Sequence, residues 1–173
     1  MRLSLLVAFL LTGCIPSPSA DPGGARAGGA FLDGAWRLVS AQAFDAEGVL
    51  VYDPEVQTGL LVISGDHYSF LWTRTPRPPA RQHWAATEEE RLAFYGTMIA
   101  HAGRIQTLHP DTLRFDALAA KSPEFVGGHE TFALRATGDS LVLTAVHAES
   151  VAGVAVPFYA ANGRQEYVFT RQP

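Results

Sequence analysis

Short runs of β-forming residues, separated by tight-turn sequences, constrain the fold of this chain more than any other feature. Val, Ile, Thr, Tyr, Phe and Trp are frequent in these runs, and such residues favour strands. Turn-forming residues surround Gly65, Pro110, Gly138 and Gly163, which favours hairpins at these four points. The predicted strands cover residues 36–44, 59–63, 67–73, 104–108, 112–118, 130–136, 140–146, 154–159 and 165–170.

We therefore expect an all-β fold, built as a single antiparallel up-and-down β-barrel of about eight strands. Strands joined by connections this short usually pair with their neighbours in the sequence. Closing the sheet into a barrel removes the exposed edges that an open sheet would present to other chains. A barrel of about eight strands has room for a packed core or for one small ligand.

One segment departs from the β pattern and predicts a helix inserted between two strands. Thr87 and Glu90 form a capping box, the arrangement that marks a helix N-terminus. Gly103 is a plausible C-terminal stop, so we expect the helix over about residues 88–101. The Pro-rich residues 74–81 before it are expected to form an extended loop. Apolar residues recur at helical spacing at Leu92, Tyr95, Met98 and Ile99.

The N-terminus has the features of an exported lipoprotein. Arg2 precedes an apolar run over residues 3–11, which suits a signal peptide and is too short to span a bilayer. Leu11-Thr12-Gly13-Cys14 then resembles the bacterial lipobox. The resemblance implies cleavage before Cys14 and attachment of a diacylglycerol carrying palmitate-type chains. We expect a signal peptide over residues 1–13, a flexible tether over residues 14–30 and one barrel domain over residues 31–173.

The predicted lipid on Cys14 implies a location at the cell envelope. Several acyl chains on one residue anchor a protein far more firmly than a single chain does. Ile15 follows the cysteine, where an Asp commonly retains lipoproteins in the inner membrane. In a host with two membranes, the periplasmic side of the outer membrane is therefore favoured.

Charge and cysteine content narrow the possible partners. The formal net charge is −4 and Lys121 is the only lysine, so the clustered cations that nucleic-acid binding needs are missing. Cys14 is the only cysteine, which excludes an intramolecular disulfide and a paired-thiol redox centre. We expect a monomer without a cofactor, whose partners are a membrane, through Cys14, and a small hydrophobic ligand.

Residues at the two ends of the predicted barrel resemble a known family. Gly34-Ala35-Trp36 is similar to the Gly-x-Trp signature of lipocalins, in which the Trp lies across the closed end of the barrel. The resemblance implies that Arg171, near the end of the last strand, packs on Trp36. A longer pattern over residues 34–40, 59–63, 123–128 and 138–141 resembles the bacterial lipocalin-like domain family. The similarity covers about residues 32–170 and implies a lipocalin-like fold, whose members include ligand carriers and enzymes.

Aromatic residues supply the candidates for a ligand cavity. Tyr68, Phe70 and Trp72 alternate along one predicted strand and therefore share one of its faces. If that face points inward, the rings line a cavity for a flat or long apolar ligand, or they simply fill the core. The full set of cavity candidates is Tyr68, Phe70, Trp72, Tyr95, Phe115, Phe132 and Phe158.

The sequence names no catalytic residue and predicts no metal site. Its six histidines lack the i, i+3 or i, i+4 pairs common in zinc sites, although strand register could bring His109 and His129 together. Three classes of function stay open. They are a carrier of a small apolar ligand, an enzyme of isomerase, cyclase or hydrolase type that uses a cavity His or Tyr, and a solid-core envelope or interaction protein. An internal cavity and a buried polar dyad are the observations that separate them. The six histidines are His67, His83, His101, His109, His129 and His147.

Overall fold

The computed structural model describes residues 31–76 and 85–173. The signal peptide and tether predicted over residues 1–30, Cys14 among them, and part of the predicted Pro-rich loop lie outside the described residues. No helix in the described ranges is long and apolar enough to cross a membrane. The strands are β1 (Gly34–Phe44), β2 (Leu50–Tyr52), β3 (Val56–Ser64), β4 (His67–Arg74), β5 (Met98–His109), β6 (Thr112–Ala120), β7 (His129–Thr137), β8 (Ser140–Glu149) and β9 (Arg164–Arg171), and the helices are α1 (Glu88–Gly96) and α2 (Pro157–Ala160).

The strands form a closed antiparallel barrel, as the turn pattern predicts. Eight strands follow one another around it in the order β1, β3, β4, β5, β6, β7, β8 and β9, and β9 pairs with β1 to close the sheet. The extra strand, β2, pairs only with the end of β1, through Tyr52 and Leu50. Closure places alternate residues of every strand inside the barrel.

The aromatic face of β4 points into the core. Tyr68, Phe70 and Trp72 are each nearly fully buried, whereas their neighbours Ser69 and Leu71 are exposed. The Tyr68 ring packs tilted against Phe115, and the Phe70 and Trp72 rings pack edge to face against Tyr167, an arrangement that stabilises aromatic clusters. The other large side chains of the core are Trp36, Leu61, Ile63, Ile105, Leu113, Phe115, Phe132, Leu141, Leu143, Tyr167 and Phe169.

Trp36 and Arg171 lie together where β1 begins and β9 ends. Trp36 is fully buried, and its indole N–H donates to the carbonyl of Leu32 at 2.8 Å. The guanidinium carbon of Arg171 lies 4.0 Å from the centre of the Trp36 ring, within the range of a cation–π contact. The same guanidinium donates to the carbonyls of Asp33, at 2.7 Å, and Phe31. Gly34 has a φ of +131°, and a Cβ there would lie 3.0 Å from the guanidinium, so glycine suits this position.

The inserted helix is shorter than the sequence predicts. The capping box at Thr87 forms as expected, but α1 ends at Gly96, and Met98 already belongs to β5. The prediction that the helix reaches His101 was therefore wrong, because pairing with β4 holds this segment in the sheet. Gly103 lies inside β5 and does not end a helix. A Cβ at this position would lie 1.8 Å from the carbonyl oxygen of Asp116, so only glycine permits the close approach of β6.

The strand predicted over residues 154–159 is also wrong. Only Ala155 makes an isolated bridge, to Glu149, and Pro157 opens the short helix α2. Proline suits the first turn of a helix because its missing N–H has no partner there. Asn162, with φ of +62°, therefore follows a helix and does not join two strands as a hairpin turn.

Candidate functional site

The barrel contains a cavity of about 310 Å³ at the end opposite Trp36. Its lining comes from the starts of β5, β7 and β9, the ends of β6 and β8, and the segments between β6 and β7 and between β8 and β9. This volume is at the lower end of the range of small-molecule sites, about 300–1,000 Å³. The apolar part of the lining consists of Ile99, Ala100, Ala120, Phe125, Ala148, Val154 and Val156.

A tyrosine–histidine dyad lies at the inner side of this cavity. The Tyr68 hydroxyl and His101 Nδ1 are 2.9 Å apart, and both side chains are buried. The two residues lie on adjacent strands, and His101 pairs with Phe70, two residues beyond Tyr68 on the same face. Edge-to-face contacts with Phe70 and Phe125 hold the imidazole ring in place.

Burial keeps the His101 imidazole neutral at physiological pH. The ring is 7% exposed, and burial lowers the pKa of His101 from 6.5 to about 4. Burial likewise raises the pKa of Tyr68, so its hydroxyl stays protonated. A neutral imidazole offers one donor and one acceptor. Tyr68 engages Nδ1, and none of the hydrogen bonds described for residues 31–76 and 85–173 engages Nε2, which leaves it for a bound molecule.

A second polar pair joins Glu130 to Tyr159. Glu130 lies on β7 and points inward, with 7% of its surface exposed. The Tyr159 hydroxyl, from α2, donates to Glu130 Oε1 at 3.2 Å and lies 3.5 Å from Gln165 Oε1. Phe115, the β6 partner of Glu130, packs 4.3 Å from the Tyr68 ring. One apolar side chain therefore lies between the two polar pairs.

Burial shifts the pKa of the Glu130 carboxyl into the physiological pH range. It raises the pKa of Glu130 from 4.5 to about 7, and the hydrogen bond from Tyr159 offsets part of this rise. Burial, together with the charge of Glu130, raises the pKa of Tyr159 and of Tyr167. Glu130 therefore exchanges a proton near neutral pH, while the tyrosines around it remain donors. The site can accept or donate hydrogen bonds at a carboxyl and at an imidazole.

The positive charge in the lining is already engaged. Lys121 donates to the carbonyl oxygens of Tyr95, at 2.9 Å, and Met98, at 2.6 Å. Its ammonium also lies 4.2 Å from the centre of the Tyr95 ring. No arginine is among the described lining residues. Glu124 and Glu130 both line the cavity, so a negatively charged ligand would meet two carboxyl groups against one lysine.

The seven cavity candidates named from the sequence fall into two groups. Tyr95 is half exposed and packs on Lys121, and Phe158 packs on Gly163 and Tyr159, so neither lines the cavity. The other five point into the barrel and pack in the core, so they do not line the cavity either, although Tyr68 bonds the lining residue His101. These five are Tyr68, Phe70, Trp72, Phe115 and Phe132.

The two residues that define the site chemically, His101 and Glu130, were not predicted. The sequence suggests a helix at His101, which hides its place on the same strand face as Ile105. Glu130 carried a signal that could have found it. It lies two residues before Phe132, so a charged side chain shares the inward face of a predicted strand.

Comparisons with known proteins leave the fold and this geometry as the basis for function. A scan against models of known protein families finds no match. A search of curated proteins finds no significant relative.

Proposed function

We propose that this protein is a lipocalin-like binding protein of the cell envelope, anchored through a lipid on Cys14, that holds a small, mainly apolar ligand in the barrel cavity. The observation that carries the proposal is the cavity of about 310 Å³, which has apolar walls and two buried polar groups. Pockets of this composition bind ligands through apolar area and orient them with a few polar contacts.

The polar groups narrow the class of ligand. Below a pH of about 7, the Glu130 carboxyl is neutral and donates a hydrogen bond, and the neutral His101 ring adds Nε2. Both suit an uncharged hydroxyl, carbonyl or amide on the ligand. A fatty-acid carboxylate suits the site less well, because it would meet the carboxyl groups of Glu124 and Glu130 against the single charge of Lys121. The proposed ligand is therefore an uncharged ring or short chain with one polar end.

A fluorescent probe of this class tests the proposal. N-phenyl-1-naphthylamine is uncharged, mostly apolar and has one N–H, and its fluorescence rises in apolar surroundings. We expect saturable binding by the full chain. Ala148→Leu should bind at least about tenfold more weakly, because the isopropyl group that it adds occupies cavity space. Fluorescence titration measures both affinities, and circular dichroism checks that the variant is folded.

Ala133→Leu is the matched control, because Ala133 is exposed on the outer face of β7. It should bind the probe as the wild type does. If the wild type takes up no probe, or if both variants keep the wild-type affinity, then the cavity is not the binding site.

The membrane anchor is tested by Cys14→Ser. Serine lacks the thiol that would accept the diacylglycerol, so this variant is expected to leave the membrane fraction or to accumulate uncut. Metabolic labelling with a radioactive fatty acid should mark the wild type and leave the variant unlabelled. Equal labelling of both chains would refute the lipoprotein assignment.

The two hydrogen-bonded pairs favour acid–base catalysis as a second candidate function. A carboxyl whose pKa is near 7 is suited to accept and return a proton at neutral pH, and Glu130 meets this condition inside a cavity. The Tyr68–His101 pair would then bind the substrate's oxygen. A carrier returns its ligand unchanged, whereas an enzyme returns product. Mass spectrometry of a bound ligand before and after incubation distinguishes the two.

A further inference from the structure

Three potential metal ligands meet on the outer face of the barrel. His129 begins β7, and Glu149, which ends β8, is its direct cross-strand partner. His147 lies two residues before Glu149, so its side chain leaves the same face of β8. The three residues are half-buried. The inward neighbours of this cluster are Glu130 and Ala148, so it lies on the outside of the wall that lines the cavity.

The side chains of His129, His147 and Glu149 already converge. One ligand atom from each of them lies within 4.8 Å of the other two. His147 Nε2 is 3.5 Å from Glu149 Oε2, and the two imidazole rings are 5.5 Å apart between centres. Ligands about 2.0–2.1 Å from a tetrahedral zinc ion lie about 3.4 Å from one another. The histidine–glutamate pair has this spacing, and a ligand atom of His129 lies within 4.8 Å of both.

We propose that His129, His147 and Glu149 bind a divalent transition-metal ion of the zinc class, with water in the fourth position. Two imidazoles and one carboxylate are a donor set that zinc accepts, and zinc sites with three protein ligands keep one position open. Nitrogen donors of this kind suit zinc, copper and nickel and are a poor match for calcium or magnesium.

Arg114, whose charge acts on His129, is balanced by a carboxylate. Arg114 is itself paired, since its Nε donates to Asp116 Oδ1 at 2.7 Å. Gln106 donates to the other oxygen of Asp116 at 2.8 Å. Asp116 therefore offsets the charge of Arg114.

The backbone fixes the spacing of the three ligands. A Cβ on Gly128, directly before His129, would lie 2.4 Å from the carbonyl oxygen of Glu149, so glycine lets the two strands meet closely at this point. An irregularity in register between Thr131 and Phe132 then places His147 opposite Thr131. Ligands held by paired strands are positioned more accurately than ligands on loops.

Zinc titration of the untagged full chain in detergent tests the site. Isothermal titration calorimetry should show one zinc ion bound per chain. His129→Gln and His147→Gln should each weaken binding by at least about tenfold, since losing even an indirect partner of a zinc ligand commonly costs 10–100-fold. Zinc should also raise the melting temperature of the wild type more than that of either variant, because it binds only the folded chain.

His67→Gln is the matched control. His67 also lies next to a carboxylate, with Nδ1 2.7 Å from Asp66 Oδ1, but it belongs to a different hairpin. This variant should bind zinc like the wild type. Cobalt should give the visible absorption of a four-coordinate site in the wild type and in His67→Gln, and not in the other two variants. Zinc affinity that is absent, or equal in all four chains, would overturn the proposal.

Discussion

Replacing Trp36 with alanine is expected to lower the free energy of unfolding by about 3–5 kcal/mol. The indole ring is fully buried where β1 begins, and its N–H bonds the carbonyl of Leu32. The substitution removes this bond and leaves a cavity that the barrel wall cannot close. Domains of this kind are stable by about 5–15 kcal/mol, so the substitution removes a large share of that stability and unfolds a domain near the lower end of the range.

Arg171→Ala is expected to have a smaller effect. The contact of the guanidinium with the Trp36 ring contributes about 0.5–2 kcal/mol, and Arg171 remains partly exposed. A loss of this size corresponds to a drop of several degrees in melting temperature. Probe binding should persist in the folded fraction, because the cavity lies at the opposite end of the barrel.

Urea denaturation and thermal melting measure both changes. Val39→Ala is the control, because Val39 also lies on β1 but is half exposed, so it should cost about 0.5 kcal/mol or less. If Trp36→Ala unfolds at the same urea concentration as the wild type, Trp36 does not close the barrel.

The second large effect is the dependence of stability on pH that Glu130 imposes. Its pKa is about 7 in the folded chain, against 4.5 for an ordinary glutamate, so the folded state binds the proton more tightly. The contribution of Glu130 to the free energy of unfolding should therefore fall as the pH rises from about 4.5 to 7, and should level off above 7. The total loss is about 3 kcal/mol, since each pKa unit corresponds to about 1.4 kcal/mol. His101, whose pKa falls from 6.5 to about 4 on folding, contributes an opposite rise between about pH 4 and 6.5, so the Glu130 contribution is measured as a difference between variants.

Glu130→Gln should remove this dependence, because the amide keeps the shape of the protonated acid and does not titrate. We expect the variant to match the wild type near pH 4 and to exceed its stability by about 3 kcal/mol at pH 8. Urea denaturation at the two pH values measures the difference.

Glu47→Gln controls for loss of a carboxylate, since Glu47 is exposed in the turn after β1. Its stability difference from the wild type should be the same at both pH values. Tyr159→Phe should extend the loss of wild-type stability to higher pH, because it removes the hydrogen bond that lowers the pKa of Glu130. A Glu130→Gln variant that follows the wild type at every pH would mean that Glu130 is ionised in the folded chain.

The sequence alone was enough to predict the barrel. Turn residues such as Gly65 and Gly138 mark the ends of successive strands. The residues between one turn and the next have high β propensity. The capping box at Thr87 marked the start of α1 correctly, because a cap depends only on residues within one turn. Signals of this kind act over a few residues and can be read without knowledge of the rest of the chain.

The end of α1 could not be predicted in this way. Leu92, Tyr95, Met98 and Ile99 have helical spacing, but Met98 and Ile99 pair with β4. Pairing with a neighbouring strand outweighs the local preference, because each strand hydrogen bond and buried side chain is gained only in the closed sheet. The sequence therefore predicts His101 at the end of a helix, whereas in the structure it occupies an inward-facing position of β5.

The candidate sites depend on contacts that only the closed barrel decides. His101 meets Tyr68 across 33 positions of sequence, and Glu130 meets Tyr159 across 29. His129 meets Glu149 because of the register of β7 with β8. A shift of one residue in that register would turn a side chain to the other face of the sheet, and local propensities do not specify it. The sequence therefore determined most of the strands and the start of α1, and the closure of the barrel, with its register shifts, determined which side chains share the cavity and which converge on the outer face.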